Sequence, residues 1–291
     1  MREPTASSVA RPAAGFEQQA AHYDARAGLP TTVGAAAAQA IVELAGAGEG
    51  DLVLELGAGT GETGAHLARQ PVRYVGLDNS PAMLEVFRAK TEGGWPGLVV
   101  ADCNLPWPLP AGSAAVIFAS RVIHLLDPEH TVRETLRVGR PGGLLMLGRV
   151  LREPDSIKER LRRRRRALLV EAGIGPRQGE EGTRRVVERC LAAGGASRGR
   201  GVVAEWTGET TPARIIAGWA ALSRTGSVSV DPVTRAGILD ELRRWGRTEF
   251  GDLGRPEAFR ERYAIDVIQL PSRAAGSGSC GGAERSCKTN S

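Results

Sequence analysis

The sequence predicts a doubly wound α/β fold, in which helices cover both faces of a largely parallel sheet. Short apolar runs end at glycine or aspartate, as at Leu52–Leu56, Tyr74–Leu77 and Leu98–Ala101. Helical patterns separate these runs, and strands that alternate with helices are typical of a parallel sheet. With 291 residues, the chain is long enough to bury a sizeable core.

The individual elements follow from apolar periodicity and from helix-capping residues. Amphipathic residues 16–26 and the Ala-rich residues 30–47 predict two helices before the first strand. The central region then reads as strand 52–56, helix 61–70, strand 74–77, helix 81–89, strand 98–101, strand 115–119, helix 127–138 and strand 144–150. The remainder predicts helices 155–172, 182–193, 212–223 and 232–245, with strands at 202–206 and 263–270. Ser80 is the expected cap of helix 81–89, whose first turn contains Pro81.

A glycine cluster directly after the first strand indicates a nucleotide-type ligand. Gly59, Gly61 and Gly64 match the G-x-G-x-x-G dinucleotide pattern, and Asp78 follows at about the spacing of a ribose-binding acid. That match is weak by itself. The strand ends at Leu56, so Gly57 is the first glycine of the turn, and the acid Glu55 lies two residues before it.

In this frame, ELGAGTG resembles the first motif, E/D-x-G-x-G-x-G, of class I S-adenosylmethionine-dependent methyltransferases. Four later segments agree with that class in order: VGLDNSPAML, VVADCNLPWP, AVIFASRVIHLLD and ETLRVGRPGGLLML. The segments YDARAGLP and FGDLGRPEAFRERYAIDVIQLP are similar to bacterial members of the type 11 group. The resemblance covers residues 16–271 and favours a methyltransferase over a dehydrogenase.

The resemblance implies a seven-stranded, mostly parallel Rossmann-like methyltransferase sheet with helical cap insertions and an antiparallel last strand at 263–270. We expect a cofactor-binding core with N-terminal helices over residues 15–151. A helical substrate cap and the last two strands are expected over 152–271, with the cap itself at 152–200 and 208–260. Segments 1–14, rich in Ala, Pro and Ser, and 272–291, rich in Gly and Ser, are expected to be disordered. Trp206, Trp219 and Trp245 are candidates for either pocket walls or core.

The cofactor implied by the resemblance is S-adenosylmethionine. Asp78 would accept hydrogen bonds from the ribose hydroxyls, and Asp102 from the adenine amino group. Cys103 would line the adenine pocket, its amide donating to the ring, rather than act as a nucleophile. Further contacts are expected from Tyr23 as a lid residue, from the backbone of Gly57, Ala58 and Gly59 at the methionine end, and from Glu55, Gly61, Asn79, Met83 and Ser120. Glu55 could instead satisfy backbone groups at the turn.

His124 follows the fourth strand, where related enzymes place residues that face the transferred methyl group. It is a candidate general base because its pKa normally lies near neutrality, and positioning or packing is the alternative. His130 is expected on a helix surface. The expected reaction is a direct in-line displacement at the sulfonium methyl, with a base needed only for an acceptor that must lose a proton early.

The arginine run 162–166 raises the question of nucleic acid. The formal net charge of the chain is +5, and five consecutive helical arginines point in all directions. The run lacks neighbouring aromatic residues that could stack bases. A small-molecule acceptor is therefore favoured. The alternatives are an RNA or protein methyltransferase that docks through this helix, and a non-catalytic protein that binds S-adenosylmethionine.

Cysteine usage and apolar segments predict the compartment. The four cysteines follow no zinc or disulfide spacing, so we expect reduced thiols and no metal. Neither a signal-peptide core nor an apolar stretch of bilayer length is present. We expect a bacterial cytoplasmic protein that does not bind membranes.

Overall fold

A computed structural model describes residues 20, 23–24, 28–91, 97–174, 179–220, 224–225 and 228–272. Of the predicted helix 16–26, only Ala20, Tyr23 and Asp24 are described, and the last two are helical. The predicted disordered segments lie outside the described residues, apart from Ser272.

Seven strands form one sheet in the order β3-β2-β1-β4-β5-β7-β6. They are β1 (Leu52–Leu56), β2 (Arg73–Asp78), β3 (Gly97–Val100), β4 (Ala114–Ser120), β5 (Gly139–Arg152), β6 (Ala196–Thr210) and β7 (Glu257–Gln269). Strands β1 to β5 pair in parallel, whereas β7 runs antiparallel to both β5 and β6. The predicted fold class and the antiparallel last strand are confirmed. Arg224–Thr225 and Val228–Ser229 form a separate antiparallel ribbon of two short strands.

The helices occupy most of the predicted positions. They are α1 (Thr31–Ala45), α2 (Gly64–Leu67), α3 (Pro81–Ala89), α4 (Pro128–Val138), α5 (Ile157–Glu171), α6 (Gly179–Ala192), α7 (Pro212–Ala220) and α8 (Pro232–Phe250), with a 3-10 turn at Ile123–Leu125. The Ser80 hydroxyl caps α3 as predicted, accepting from the Met83 amide at 3.3 Å. Helix α2 begins after the predicted residue 61 because Gly61 has a left-handed φ of 78°, which is incompatible with a right-handed helix, and it ends at Leu67, before the predicted residue 70.

Both faces of the sheet are buried. Side chains alternate along β1, so Leu54 and Leu56 join the core on one face while Val53 joins the core on the other. In the described part of the chain, no helix is both long and apolar enough to cross a membrane.

The region beyond β5 divides between the sheet and a separate helical unit. Val186 and Cys190 of α6 are buried in the core on the β1 Leu54 face. Residues 179–192 therefore cover the sheet, and this part of the predicted cap is wrong. Helices α5, α7 and α8 form a third apolar cluster of their own, and Trp219 and Trp245 pack against it. Trp206 packs against the sheet.

Strands β6 and β7 are much longer than the predicted 202–206 and 263–270. Their extensions are largely exposed and polar on one face, so they lack a hydrophobic alternation that sequence reading could detect. Cross-strand ion pairs join the two strands there, with Arg200 Nε 2.5 Å from Asp266 Oδ1 and Arg260 Nη2 2.5 Å from Glu205 Oε1.

Candidate functional site

The turn after β1 requires its three glycines. Gly57, Gly59 and Gly61 have φ angles of 63°, 53° and 78°, in the region that side chains disfavour. A Cβ atom on Gly57 would lie 2.5 Å from a Val122 methyl group, and one on Gly61 would lie 2.5 Å from the Phe87 ring. The backbone therefore passes close to α3 and to the segment that follows β4, in a way that only glycine allows.

This turn is tied to the end of β2. The Ala58 amide donates to the Leu77 carbonyl at 2.9 Å, and the Gly59 amide donates to Asp78 Oδ2 at 2.8 Å. The Ser80 amide donates to Asp78 Oδ1 at 2.9 Å. The Asp78 carboxylate is thus held in one orientation by two backbone amides. Because the Ala58 and Gly59 amides are used within the fold, contacts from these residues to a ligand would have to come from other atoms.

Cys103 lies where the glycine turn meets the end of β3. Burial raises the pKa of its thiol to about 12; the nearby Gly57 backbone opposes the increase, whereas the negative charges of Asp78 and Asp102 add to it. A thiol with a raised pKa is a poor nucleophile, because the thiolate is the attacking species. Asp102 Oδ1 accepts from the Asn104 amide at 2.9 Å. Four predicted cofactor residues, Gly57, Asp78, Asp102 and Cys103, therefore gather at the carboxyl ends of β1, β2 and β3.

A buried polar network holds the turn that follows Cys103. Arg137 of α4 donates to the carbonyl groups of Trp107 and Leu109 at 2.8 Å each, and Glu134 accepts from the Trp107 amide at 2.8 Å. The Trp107 indole donates to the Cys103 carbonyl at 3.0 Å. Sequence reasoning missed this network, although a Glu–Arg pair three residues apart on α4 is the signal that could have found it.

The prediction that His130 is a surface residue is wrong. Its side chain is only 7% exposed, and its Nε2 lies 2.9 Å from the Leu105 carbonyl oxygen. Its Nδ1 accepts from Arg133 at 2.7 Å. The error arises because α4 packs its polar residues, and not only its apolar ones, against the turn after β3.

Glu55 lies on the covered face of β1, below the glycine turn. It is 4% exposed, and the Tyr74 hydroxyl donates to its Oε2 at 2.5 Å. Burial raises the pKa of Glu55 to about 8, against the opposing effect of the Tyr74 hydrogen bond. Gly64 makes room for the pair, since a Cβ atom there would lie 2.3 Å from the Tyr74 hydroxyl oxygen. These contacts favour the structural alternative for Glu55 over direct contact with a ligand.

The tip of β4 forms the other side of the site. Ser120 Oγ lies 2.7 Å from the hydroxyl oxygen of Tyr263, a fully buried residue of β7. The next residue, Arg121, has a left-handed φ of 59°, pairs with Glu62 and lies with its Cζ 5.9 Å from the centre of the Tyr23 ring. Such a backbone outlier in a residue with a side chain is typical of functional sites.

The described N-terminal residues are fastened to the glycine turn. Asp24 Oδ1 accepts from the Thr60 hydroxyl and Oδ2 from the Lys90 ammonium, each at 2.5 Å. The Leu29 amide donates to Glu62 at 2.8 Å. Tyr23 is thereby kept beside Arg121, close to the tip of β4. Tyr23 was predicted from the sequence, whereas its neighbour Asp24, whose carboxylate makes these contacts, was not.

The remaining predicted residues lie close to the same edge. His124 is half-buried in the 3-10 turn that follows β4. Asn79 is half-buried between β2 and the α3 cap, and Met83 in the first turn of α3 is 2% exposed. The candidate residues on β1, β2, β3 and β4 therefore share the carboxyl edge of the sheet, where doubly wound folds bind their ligands.

Comparison with known proteins identifies the central part of the chain. Residues 54–147 match the family model of a methyltransferase domain. This stretch is a class I S-adenosylmethionine-dependent methyltransferase domain. An uncharacterized methyltransferase of Mycobacterium tuberculosis is 36% identical over 95 residues, which are 33% of this chain and 38% of the relative. The malonyl-[acyl-carrier protein] O-methyltransferase of Serratia marcescens is 29% identical over 135 residues, 46% of this chain and 50% of that protein.

Solved structures agree on the fold of the methyltransferase domain. The YcgJ protein of Bacillus subtilis, at 20% identity, aligns with a TM-score of 0.50 over 81% of this chain and 98% of its own. A Bacillus halodurans protein described as a methyltransferase, at 17% identity, aligns with a TM-score of 0.52 over 80% of this chain and 98% of its own. The matched stretch spans less than two fifths of the length of the mycobacterial relatives, so the similarity is concentrated in the domain core.

The cofactor of this methyltransferase class is S-adenosylmethionine, and the described residues fit it. The glycine turn allows a ligand to approach the backbone at a distance that a Cβ atom would prevent. The Asp78 carboxylate is fixed by two amides beside that turn, at the carboxyl end of β2. Asp102 offers a second carboxylate one strand further along the edge.

Proposed function

We propose that this chain transfers a methyl group from S-adenosylmethionine to a small-molecule acceptor. The observation that carries the proposal is the Asp78 carboxylate, held at the glycine turn by the Gly59 and Ser80 amides. When bound, S-adenosylmethionine supplies a sulfonium methyl group that a nucleophile can take by in-line displacement. The protein has to hold the donor and the acceptor in attacking geometry and exclude water.

Each candidate residue at the carboxyl edge of the sheet has a proposed role. Asp78 accepts from the ribose hydroxyls, and Asp102 with the Cys103 backbone binds the adenine. Tyr23, held close to the tip of β4 by its neighbour Asp24, covers the methionine end. His124 either takes a proton from the acceptor or positions it. In the variant His124→Gln, loss of the acidic limb of the pH–rate profile would assign a base, whereas an unchanged profile would assign positioning.

Donor binding to the purified full-length chain is the first test. We expect calorimetry to detect binding of S-adenosylmethionine, and Asp78→Asn to weaken it by roughly ten- to a hundredfold, the worth of a hydrogen bond to a charged group. Asp51→Asn is the matched control, because Asp51 precedes β1 at the opposite end of the sheet. Binding of NAD in place of S-adenosylmethionine, or no donor binding, would contradict the proposal.

The class of acceptor is tested by transfer from methyl-labelled S-adenosylmethionine in a whole-cell extract, which is then separated into small-molecule, RNA and protein fractions. We expect the label in a small molecule. Label in RNA or protein would favour docking through the arginine-rich α5, and binding without transfer to any fraction would favour a non-catalytic protein.

The charges around α5 argue against the docking alternative. Three of its arginines, Arg160, Arg163 and Arg164, line a cleft of about 290 Å³ together with Trp245 and Glu249 of α8. Carboxylates on α5 and α8 neutralise this cleft: Glu249 pairs with Arg160, while Glu171 and Glu241 pair with Arg164. Because these carboxylates offset part of its positive charge, α5 attracts a polyanion less strongly than its run of arginines suggests.

A further inference from the structure

A second group of charges lies at the carboxyl edge of the sheet, below the helical unit of α5, α7 and α8. Its centre is Glu261 of β7, a carboxylate that is only 4% exposed. Arg152 at the end of β5 places its Nε 2.6 Å from Glu261 Oε1, and Lys158 of α5 places its Nζ 2.9 Å from Oε2. The Lys158 ammonium also lies 3.2 Å from the centre of the Phe259 ring.

A third cation belongs to the same cluster. Arg162 lies one helical turn beyond Lys158 on α5 and interacts electrostatically with Arg152 and Glu261. Glu159 is the other carboxylate that interacts with Arg162. Three cations thus face two carboxylates, in contrast to the balanced cleft on the α8 side of the same helix, and the cluster keeps an excess of positive charge.

The cluster lies within reach of the proposed methyl-transfer site. Tyr263, whose hydroxyl contacts Ser120 at the tip of β4, is two residues from Glu261 on the same covered face of β7. Two residues along a strand span roughly 7 Å. Arg152 lies directly opposite Glu261 in the β5–β7 ladder. An acceptor that extends from Ser120 along β7 toward α5 would approach this cluster.

The side chains of the cluster have the chemistry of an anion-binding site. Arg152 uses its Nε for Glu261, and within the described ranges its terminal nitrogens have no further ion pair. A guanidinium with two such nitrogens binds a carboxylate or a phosphate through paired hydrogen bonds. Arg162 is exposed and adds a second guanidinium that interacts electrostatically with Arg152 and Glu261. Positive charge that is partly removed from water attracts an anion more strongly than charge on an open surface.

We propose that Arg152, Lys158 and Arg162 bind an anionic group, a carboxylate or a phosphate, on the methyl acceptor, with Glu261 holding the first two cations in place. The inference rests on the proposed function for the identity of the bound molecule as an acceptor. The binding site itself can be tested without any transfer reaction.

The test compares two neighbouring arginines on α5 in the full-length chain. Arg162→Gln removes a cation from the cluster, and Arg163→Gln removes an equal charge from the cleft between α5 and α8. Calorimetric titrations with inorganic phosphate and with acetate, at low constant ionic strength, measure the anion affinity of each protein. We expect at least a tenfold weaker affinity in Arg162→Gln than in Arg163→Gln, whose affinity stays close to that of the wild type.

Each outcome decides the question. No anion binding by the wild type, or equal affinities in the two variants, would overturn the proposal. Preference for phosphate over acetate, or the reverse, identifies the group on the acceptor. A parallel titration with S-adenosylmethionine separates the two ideas: normal donor binding without anion binding refutes only the cluster, whereas anion binding without donor binding refutes the methyltransferase proposal.

Discussion

Replacing Glu55 by glutamine should change how the stability of the protein depends on pH. The Glu55 side chain is 4% exposed, and burial raises its pKa from 4.5 to about 8. The folded chain therefore keeps a proton that the unfolded chain loses above pH 4.5. Glutamine preserves the shape of the side chain and an oxygen that accepts from the Tyr74 hydroxyl, but it has no proton to lose.

The sign and size follow from proton linkage. Below pH 4.5, Glu55 is protonated in both states and adds no pH dependence. As the pH rises from 4.5 to about 8, the free energy of unfolding of the wild type falls by about 1.4 kcal/mol per pH unit from this group. Over the full interval the loss amounts to about 5 kcal/mol, and above pH 8 it stops growing. Glu55→Gln should lack this loss.

Denaturant unfolding followed by tryptophan fluorescence, in steps from pH 5.5 to 8.5 and without donor, measures the difference between the two proteins. We expect the free energy of unfolding of Glu55→Gln to rise, relative to that of the wild type, by several kcal/mol across this range. Glu85→Gln, on the exposed face of α3, is the control and should show no trend. A difference between Glu55→Gln and the wild type that stays constant with pH would refute the reasoning, because Glu55 would then be ionised in the folded state.

Three further substitutions test the framework of the site. Gly61→Ala should lower the free energy of unfolding by about 2–4 kcal/mol, because it combines a left-handed φ with overlap on Phe87, whereas Gly48→Ala, in open space, should cost little in the same denaturation assay. Arg137→Met should cost about 2 kcal/mol and weaken donor binding, because it frees the turn after β3; calorimetry showing unchanged donor affinity would contradict that link. Asp24→Asn should leave the unfolding midpoint nearly unchanged but speed limited proteolysis of the N-terminal segment, and equal cleavage rates would count against a fastened segment.

The parts of the fold that sequence reading predicted well are those in which local chemistry and tertiary packing agree. Strand β1 is buried on both faces, so its continuous apolar run marks both of its ends correctly. Helix α3 begins and ends where its Ser80 cap, its Pro81 and its apolar spacing require. The glycine turn was equally readable, because left-handed φ angles leave a direct trace in the sequence.

The errors occur where burial involves polar groups. His130 is buried through hydrogen bonds to a turn that lies 25 residues earlier in the chain. Helix α6 carries a buried Val186 and Cys190 on an otherwise polar helix, a pattern that suits a cap and a sheet-covering helix equally well. In both cases the partner is remote in sequence, and the identity of the residue alone does not reveal that it has one.

The same reasoning explains why the grouping of the candidate donor residues at one edge could be predicted, whereas the charge cluster around Glu261 could not. Donor residues follow strand ends in fixed order, so their relative positions come from the topology of the sheet. Glu261, by contrast, occupies an apolar position in the alternation of Phe259, Glu261 and Tyr263, which signals a buried charge but not its partners. A buried carboxylate needs cations to be stable, and these come from the end of β5 and from α5, more than 100 residues away. The cations that we propose to bind the acceptor therefore also fasten α5 to the sheet. Changes in acceptor specificity should be coupled to the position of α5.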